Sequence, residues 1–153
     1  MDISFKYDDQ KFNYRVCAML ISDNRILAMH DERSPYFYLP GGRVTMGETA
    51  EQAVIREVQE ELGITTKIIR PVWLNQAFFT EDVDHLRYHE LCIYFFDETL
   101  CSPQRRGPSV IIGSQKTQIY QWFAGSQQEV FILKILKFEN NAAQQGNGRR
   151  FHI

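Results

Sequence analysis

The chain has little cysteine: Cys17, Cys92 and Cys101, with no C-x-x-C pair among them. An odd, scattered set disfavours a disulfide framework and a structural zinc site and points to buried or idle thiols. Long apolar runs are also lacking. FILKILKF is short and broken by lysine, and the start MDISFKYDDQK has neither the basic flank nor the apolar run of a signal peptide. A soluble, cytoplasmic protein with no membrane partner is expected. No charge of one sign dominates: 17 Lys and Arg stand against 19 Asp and Glu, a net charge of -2. That balance argues against binding nucleic acid through bulk electrostatics, so a polyanionic ligand needs a local solution. What is present is 153 residues with 44% hydrophobic and 13% aromatic content, enough for the core of one domain. With no internal repeat and no linker, residues 1–138 read as that domain. ENNAAQQGNGRRFHI, residues 139–153, reads as a polar, amide-rich, flexible tail.

The middle of the chain is dominated by strand patterns. YRVCAMLIS (Tyr14 to Ser22) and RILAMH (Arg25 to His30), joined through SDN, predict a hairpin. DERSP breaks the pattern, YFYLP reads as a short strand stopped by Pro40, and Gly41 and Gly42 mark a turn with close backbone approach. TTKIIR and VWLNQAFF, split by Pro71, a polar loop TEDVDHLR and a strong strand YHELCIYFFDE follow. TLCSPQRRGPSVIIGSQK predicts a long loop, and TQIYQWF a last strand. Ser126 and Glu129 form a capping-box pattern before VFILKILKF, which predicts a C-terminal helix, with strand as the alternative.

Between these strands stands GGRVTMGETAEQAVIREVQEELGI, Gly41 to Ile64. Thr49 and Gln52 match a capping box, and Gly63 suits a left-handed C-terminal cap with Ile64 folding back toward Val58, so residues 50–62 predict a helix. At about 100° per residue, Glu57, Glu60 and Glu61 share an arc of roughly 100°, while Ile55, Val58 and Leu62 point toward the core. Arg56 is placed off the acidic face. Like charges at i, i+3 and i+4 repel, so a helix shaped only for stability would interleave lysines. One reading is a solvated acidic face. The other is a seat for a hard divalent cation, which takes oxygen ligands together with substrate phosphates; the preceding glycines offer backbone groups to the same site.

Gly42, Glu48 six positions on, and then Arg56-Glu57-Val58-Gln59-Glu60-Glu61-Leu62-Gly63-Ile64 resemble the Nudix box at every specified position. The resemblance implies an α/β (α+β) fold, the Nudix α/β/α sandwich with a mixed β-sheet. It also implies a Mg²⁺-dependent hydrolase, with Mn²⁺ as a substitute, acting on a nucleoside diphosphate linked to another group. On that resemblance Glu57 and Glu61 are core metal ligands, Glu60 adds a ligand or helps deprotonate water, and the carbonyl of Gly41 is a further ligand. Gly42 belongs to the substrate or auxiliary set. Arg56 orients the glutamates by charge-assisted hydrogen bonds, against a plain surface ion pair as its bland reading, and Glu48 supports the loop or binds another metal. Some family members take their general base from a distant loop, which makes Glu90, Glu81, Asp82 and Asp84 candidates; His85 and His89 read as rim residues.

Phe78, Phe79, Tyr36 and Tyr38 are candidates to stack on a base, and Arg105 and Arg106 to clamp a phosphate; core packing and solvated loop charge are the competing readings. The proline about fifteen residues past the box of ADP-ribose hydrolases is replaced by Phe78 and Phe79, and the tyrosine of diadenosine polyphosphate hydrolases is missing at positions 79 to 81. The expected reaction is hydrolysis of a nucleoside triphosphate, or another nucleoside diphosphate derivative, to a monophosphate. The alternatives are an ADP-ribose or nucleotide-sugar hydrolase and a Nudix-fold binding module. A homodimer is left open, and no basic stripe supports an RNA partner.

Overall fold

A computed structural model describes residues 1–22, 25–31, 37–67, 70–81, 84–97, 109–112 and 117–124. The elements run β1 (Ser4–Tyr7), β2 (Gln10–Ser22), β3 (Arg25–Asp31), β4 (Gly41–Arg43), α1 (Ala50–Leu62), β5 (Arg70–Thr80), β6 (Arg87–Asp97), β7 (Ser109–Ile112) and β8 (Thr117–Ala124). This is a mixed β-sheet with a helix, an α+β fold. Among the described residues no helix is long and apolar enough to cross a membrane. The capping pattern at Ser126 and Glu129, the helix it predicts, the tail and Tyr36, Asp82, Arg105 and Arg106 lie outside the described residues.

β2 organises the sheet. Along one edge it pairs antiparallel with β1, β4 and β3 in turn, and along the other it runs parallel to β6 from Gln10↔Arg87 to Leu20↔Asp97. β5 closes one side against β6, while β8 and β7 extend the other beyond β3. Both faces of β2 are needed in the interior from Val16 to Ile21, which is why that half of the strand is continuously apolar rather than alternating. Val16, Ala18 and Leu20 join Phe95 and the helix residues Ala53, Val54 and Val58 in one cluster. Cys17 packs with Ile26, Ala28, Leu39, Cys92 and Tyr94 in a second, on the opposite face. Cys17 and Cys92 are free, buried thiols 3.6 Å apart.

The helix has the predicted ends. Thr49 Oγ1 accepts from Gln52 N at 3.2 Å while Gln52 Oε1 accepts from Thr49 N at 2.8 Å, and Gly63, at φ +68°, donates to Gln59 O. Its buried face differs in detail: Val54, Ala53 and Val58 are sealed, and Ile55 is half-buried.

Other strand boundaries depart from expectation. Gly41 and Gly42 do not form a turn but begin β4, opposite Cys17 and Val16. Of YFYLP, the described residues Phe37 to Pro40 contribute a single bridge, Tyr38 to Met29. Pro71 does not split the segment, because β5 is an edge strand where a missing N–H costs little, and a register shift between Pro71 and Trp73 absorbs it. Thr65 to Lys67 are not in a strand. β7 falls inside the predicted long loop, and the first residues form a hairpin, β1 to β2, whose turn holds Asp8 at φ +57°.

Candidate active site

The two glycines at the start of β4 set the geometry. A Cβ on Gly41 would stand 2.1 Å from Val16 O, so the strand can lie this close to β2 only without a side chain. A Cβ on Gly42 would fall 2.3 Å from Glu57 Cδ: the Glu57 carboxylate occupies the space that a side chain at 42 would fill. Helix and strand are thereby brought together at one place, and Glu57 lines a cleft of about 440 Å³ with Gly42, Arg15, Arg43, Glu81 and Glu90.

Arg56 is the hub. Its Nη2 donates to Glu48 Oε1 at 2.7 Å and to the Arg43 carbonyl at 3.0 Å, its Nε to Glu48 Oε2 at 3.1 Å, and its Nη1 to Glu57 Oε1 at 2.8 Å and Glu60 Oε2 at 3.3 Å. The placement off the acidic face holds for its Cα but not for its guanidinium, which a long side chain carries back across the acids. Glu48 also accepts from Thr45 N, which ties the loop before the helix to the same arginine. The hydrogen bonds from Arg56 pull the Glu48 carboxyl down to about 2. Glu61 accepts from Gly41 N at 3.0 Å.

Two carboxyls shift the other way. Burial raises both, Glu61 to about 7, against the pull of Arg56 on Glu57, of the Gly41 amide on Glu61, and of Arg15 on each. The Glu57 side chain is 16% exposed and that of Glu60 59%, so Glu60 meets Arg56 as a screened surface pair while Glu57 is held in a poorly hydrated place. Two carboxyls raised by burial stand side by side, and an oxygen-only donor set suits a hard divalent ion. Among the described residues no three His, Cys, Asp or Glu groups converge into a ready cage. The reason is visible: Arg56 holds Glu57 and Glu60, and Gly41 holds Glu61. Mg²⁺ needs only one or two carboxylates besides water and phosphate, so the residues fit such an ion.

The remaining candidates separate by strand alternation. Glu90 faces the cleft, 3.9 Å from Arg15, and Glu81 lines it as well. Asp84 instead accepts from Tyr88 Oη at 2.8 Å and from Leu86 N. Phe78 lies on the helix side of the sheet, its ring centroid 4.3 Å from that of His89, whereas its neighbour Phe79 faces the cleft. His89 is not a rim residue: it sits in β6 between Phe12 and Phe78, 2.7 Å from Gln76 Nε2. Sequence reasoning missed Arg15, Arg43, Asn13 and Tyr88 in the cleft. A period-two reading anchored on the buried Val16 would have placed Asn13 and Arg15 on one face.

A family model for the NUDIX domain matches residues 11–128. The chain belongs to the Nudix family. Nudix enzymes act as pyrophosphohydrolases on nucleotide-derived substrates and generally use divalent metal ions. The chain is 43% identical over 56 residues to the ADP-ribose pyrophosphatase of Methanocaldococcus jannaschii, covering 35% of this chain and 33% of that protein. It is 73% identical over 26 residues to the 8-oxo-dGTP diphosphatase of Escherichia coli, 17% of this chain and 20% of the other. It thus spans well under two thirds of these Nudix relatives. Among solved structures, the MutT Nudix hydrolase of Burkholderia pseudomallei superposes with a TM-score of 0.54 at 26% identity, over 74% of this chain and 83% of its own. The MutT protein of Methanosarcina mazei Go1 reaches 0.57 at 19% identity, over 85% and 94%, and shares the fold.

Proposed function

We propose that this Nudix protein hydrolyses the diphosphate linkage of a nucleoside diphosphate derivative, including nucleoside triphosphates, with Mg²⁺ and with Mn²⁺ as a substitute. The observation that carries the reading is the pair of half-buried carboxylates, Glu57 and Glu61, held beside the Gly41–Gly42 strand by Arg56 and the Gly41 amide. A diphosphate resists attack because its oxygens repel a nucleophile, so catalysis must neutralise charge and activate water. A divalent ion supplies both when bound. Glu57 and Glu61 would hold it, with Glu60 and the Gly41 carbonyl as further donors. Arg56 fixes the glutamates so that little reorganisation is needed, and Glu48 anchors Arg56. Glu90 and Glu81 are the cleft carboxylates placed to receive the proton from water.

A second reading, an ADP-ribose or nucleotide-sugar hydrolase, is favoured by the likeness to the Methanocaldococcus jannaschii pyrophosphatase. A panel of nucleoside triphosphates, ADP-ribose, nucleotide sugars and dinucleoside polyphosphates, assayed with each metal, separates the two by which compound turns over fastest. Glu57→Gln is expected to lower kcat by about a hundredfold or more. Wild-type turnover by that variant would sink the reading, and no turnover by the native protein, with ligand still raising Tm, would move it to a binding module.

A further inference from the structure

The cleft carries a pair of guanidiniums with no role as metal donors in the proposed reaction. Arg15 on β2 and Arg43 on β4 are direct cross-strand partners, so pleating puts both side chains on the face away from α1, and both line the cleft beside Gly42 and Glu57. Like charges directly opposite one another destabilise an antiparallel pair. Their direct carboxylate pairs among the described residues are loose: Arg15 is 3.9 Å from Glu90, beyond hydrogen-bonding distance, and Arg43 is 3.4 Å from Asp2 in a solvent-exposed pair. An anion between the two guanidiniums reverses the sign of their interaction, and a phosphate matches the guanidinium fork.

The other end of the same cleft is aromatic. Phe79 and Tyr88 stack with ring centroids 5.1 Å apart at 18°, and both line the cleft. Tyr88 is pinned, its hydroxyl accepting from Lys11 Nζ at 3.0 Å and donating to Asp84 at 2.8 Å. The register Lys11↔Tyr88, Asn13↔Glu90, Arg15↔Cys92 sets the aromatic pair and the arginine pair four residues apart along β2 on one face, about 13 Å at the rise of a strand. A nucleoside diphosphate extends over a comparable reach from its base to its phosphates.

We infer that the cleft takes a nucleoside diphosphate lengthwise, its phosphates between Arg15 and Arg43 and its base against the Phe79–Tyr88 stack. In the free protein Glu90 and Asp2 hold the two guanidiniums, and the phosphates exchange with them on binding. The inference rests on the hydrolase reading for the bond that is cut, but its binding geometry is tested without turnover.

The test is an NMR titration, which detects weak binding, of the full chain with three probes: α,β-methylene nucleoside diphosphates of the four common bases, methylenediphosphonate, and the matching nucleosides. Arg15→Gln is expected to weaken the nucleotides and the diphosphonate about tenfold or more and to leave the nucleosides unchanged, with Arg15→Lys recovering part of the loss. Phe79→Ala is expected to weaken nucleotides and nucleosides and to spare the diphosphonate. Unchanged binding by Arg15→Gln, an equal loss on all three probes, or no binding of any nucleotide by the native protein overturns the inference. Selective losses in a protein that hydrolyses nothing leave the inference standing and remove the hydrolase reading. Turnover with a KM unmoved by Arg15→Gln does the reverse.

Discussion

Gly41 and Gly42 are adjacent but answer to different neighbours, and substitution separates them. At Gly41, with φ +153°, a Cβ meets backbone, Val16 O at 2.1 Å and Cys17 Cα at 2.8 Å, neither of which can yield without shifting β2. At Gly42 it meets only the far end of the Glu57 side chain. Gly41→Ala is therefore expected to lower Tm measurably, whereas Gly42→Ala displaces the Glu57 carboxylate, with turnover falling on the order of a hundredfold and Tm little changed. Thermal melts beside kcat for the two variants check this, and equal effects on Tm would refute it. Glu61 makes a prediction about pH. Its carboxyl is raised by burial to about 7 in the folded protein from an ordinary value of 4.5. The folded state thus favours its protonated form: the associated stability is full below about 4.5 and is lost as pH rises through about 7. A metal ion needs the ionised form, so Mg²⁺ binding should strengthen as pH rises through this range and release a proton near pH 6 but not near pH 8.5. Calorimetry in two buffers of different ionisation enthalpy measures that proton, and Glu61→Gln should reduce it, Glu57 being raised by burial as well.

At the scale of elements, α1 is the part whose sequence and structure agree most closely. Its cap chemistry is local: Thr49, Gln52 and Gly63 satisfy the helix ends from within a few residues, so the boundaries 50–62 could be read without any tertiary knowledge. Thr49→Ala is expected to cost about 1 kcal/mol by removing the acceptor for Gln52 N. A fall in Tm of a few degrees in a scanning melt would register it, and no change would show that packing on the sheet alone fixes this end. The strands behave otherwise. Pro71 reads as a break only if its strand is assumed to be central, and its edge position is a fact of the whole sheet. VII within residues 109–112 is too short and too surrounded by loop signals to announce a strand, and it becomes one because β8 offers an edge. In YFYLP, whose first residue lies outside the described ones, Tyr38 pairs with Met29 through a single bridge although Phe37 and Tyr38 have high strand propensity.

For the whole molecule, the match to the NUDIX domain ends at residue 128, short of the polar segment 139–153. Removing residues 139–153 is expected to leave Tm and turnover unchanged; loss of folding on truncation would overturn the assignment of one domain to residues 1–138. The core that this truncation leaves in place lies on both sides of β2, with Phe95 and Leu20 sealed against α1 and Tyr94 and Leu39 on the other face. Charge is distributed on the same scale. The near-neutral chain of net charge -2 sets Arg15, Arg43 and Arg56 beside the acids of α1, which is the local solution that the proposed phosphate-bearing substrate requires.

The sequence by itself determined the helix, its caps, the acidic residues it presents and the family to which they belong, because all of these are written at spacings of three, four and six residues within one segment. Periodicity of that range needs no knowledge of what lies across the sheet. Only the tertiary structure decided which side chains meet in the cleft beside that helix: Arg15 against Glu90, Arg43 beside Arg15, and Phe79 facing the cleft with Phe78 turned from it. These depend on strand register, in which a shift of one residue exchanges the two faces, and the register of β2 against β6 is set by packing between segments more than seventy residues apart.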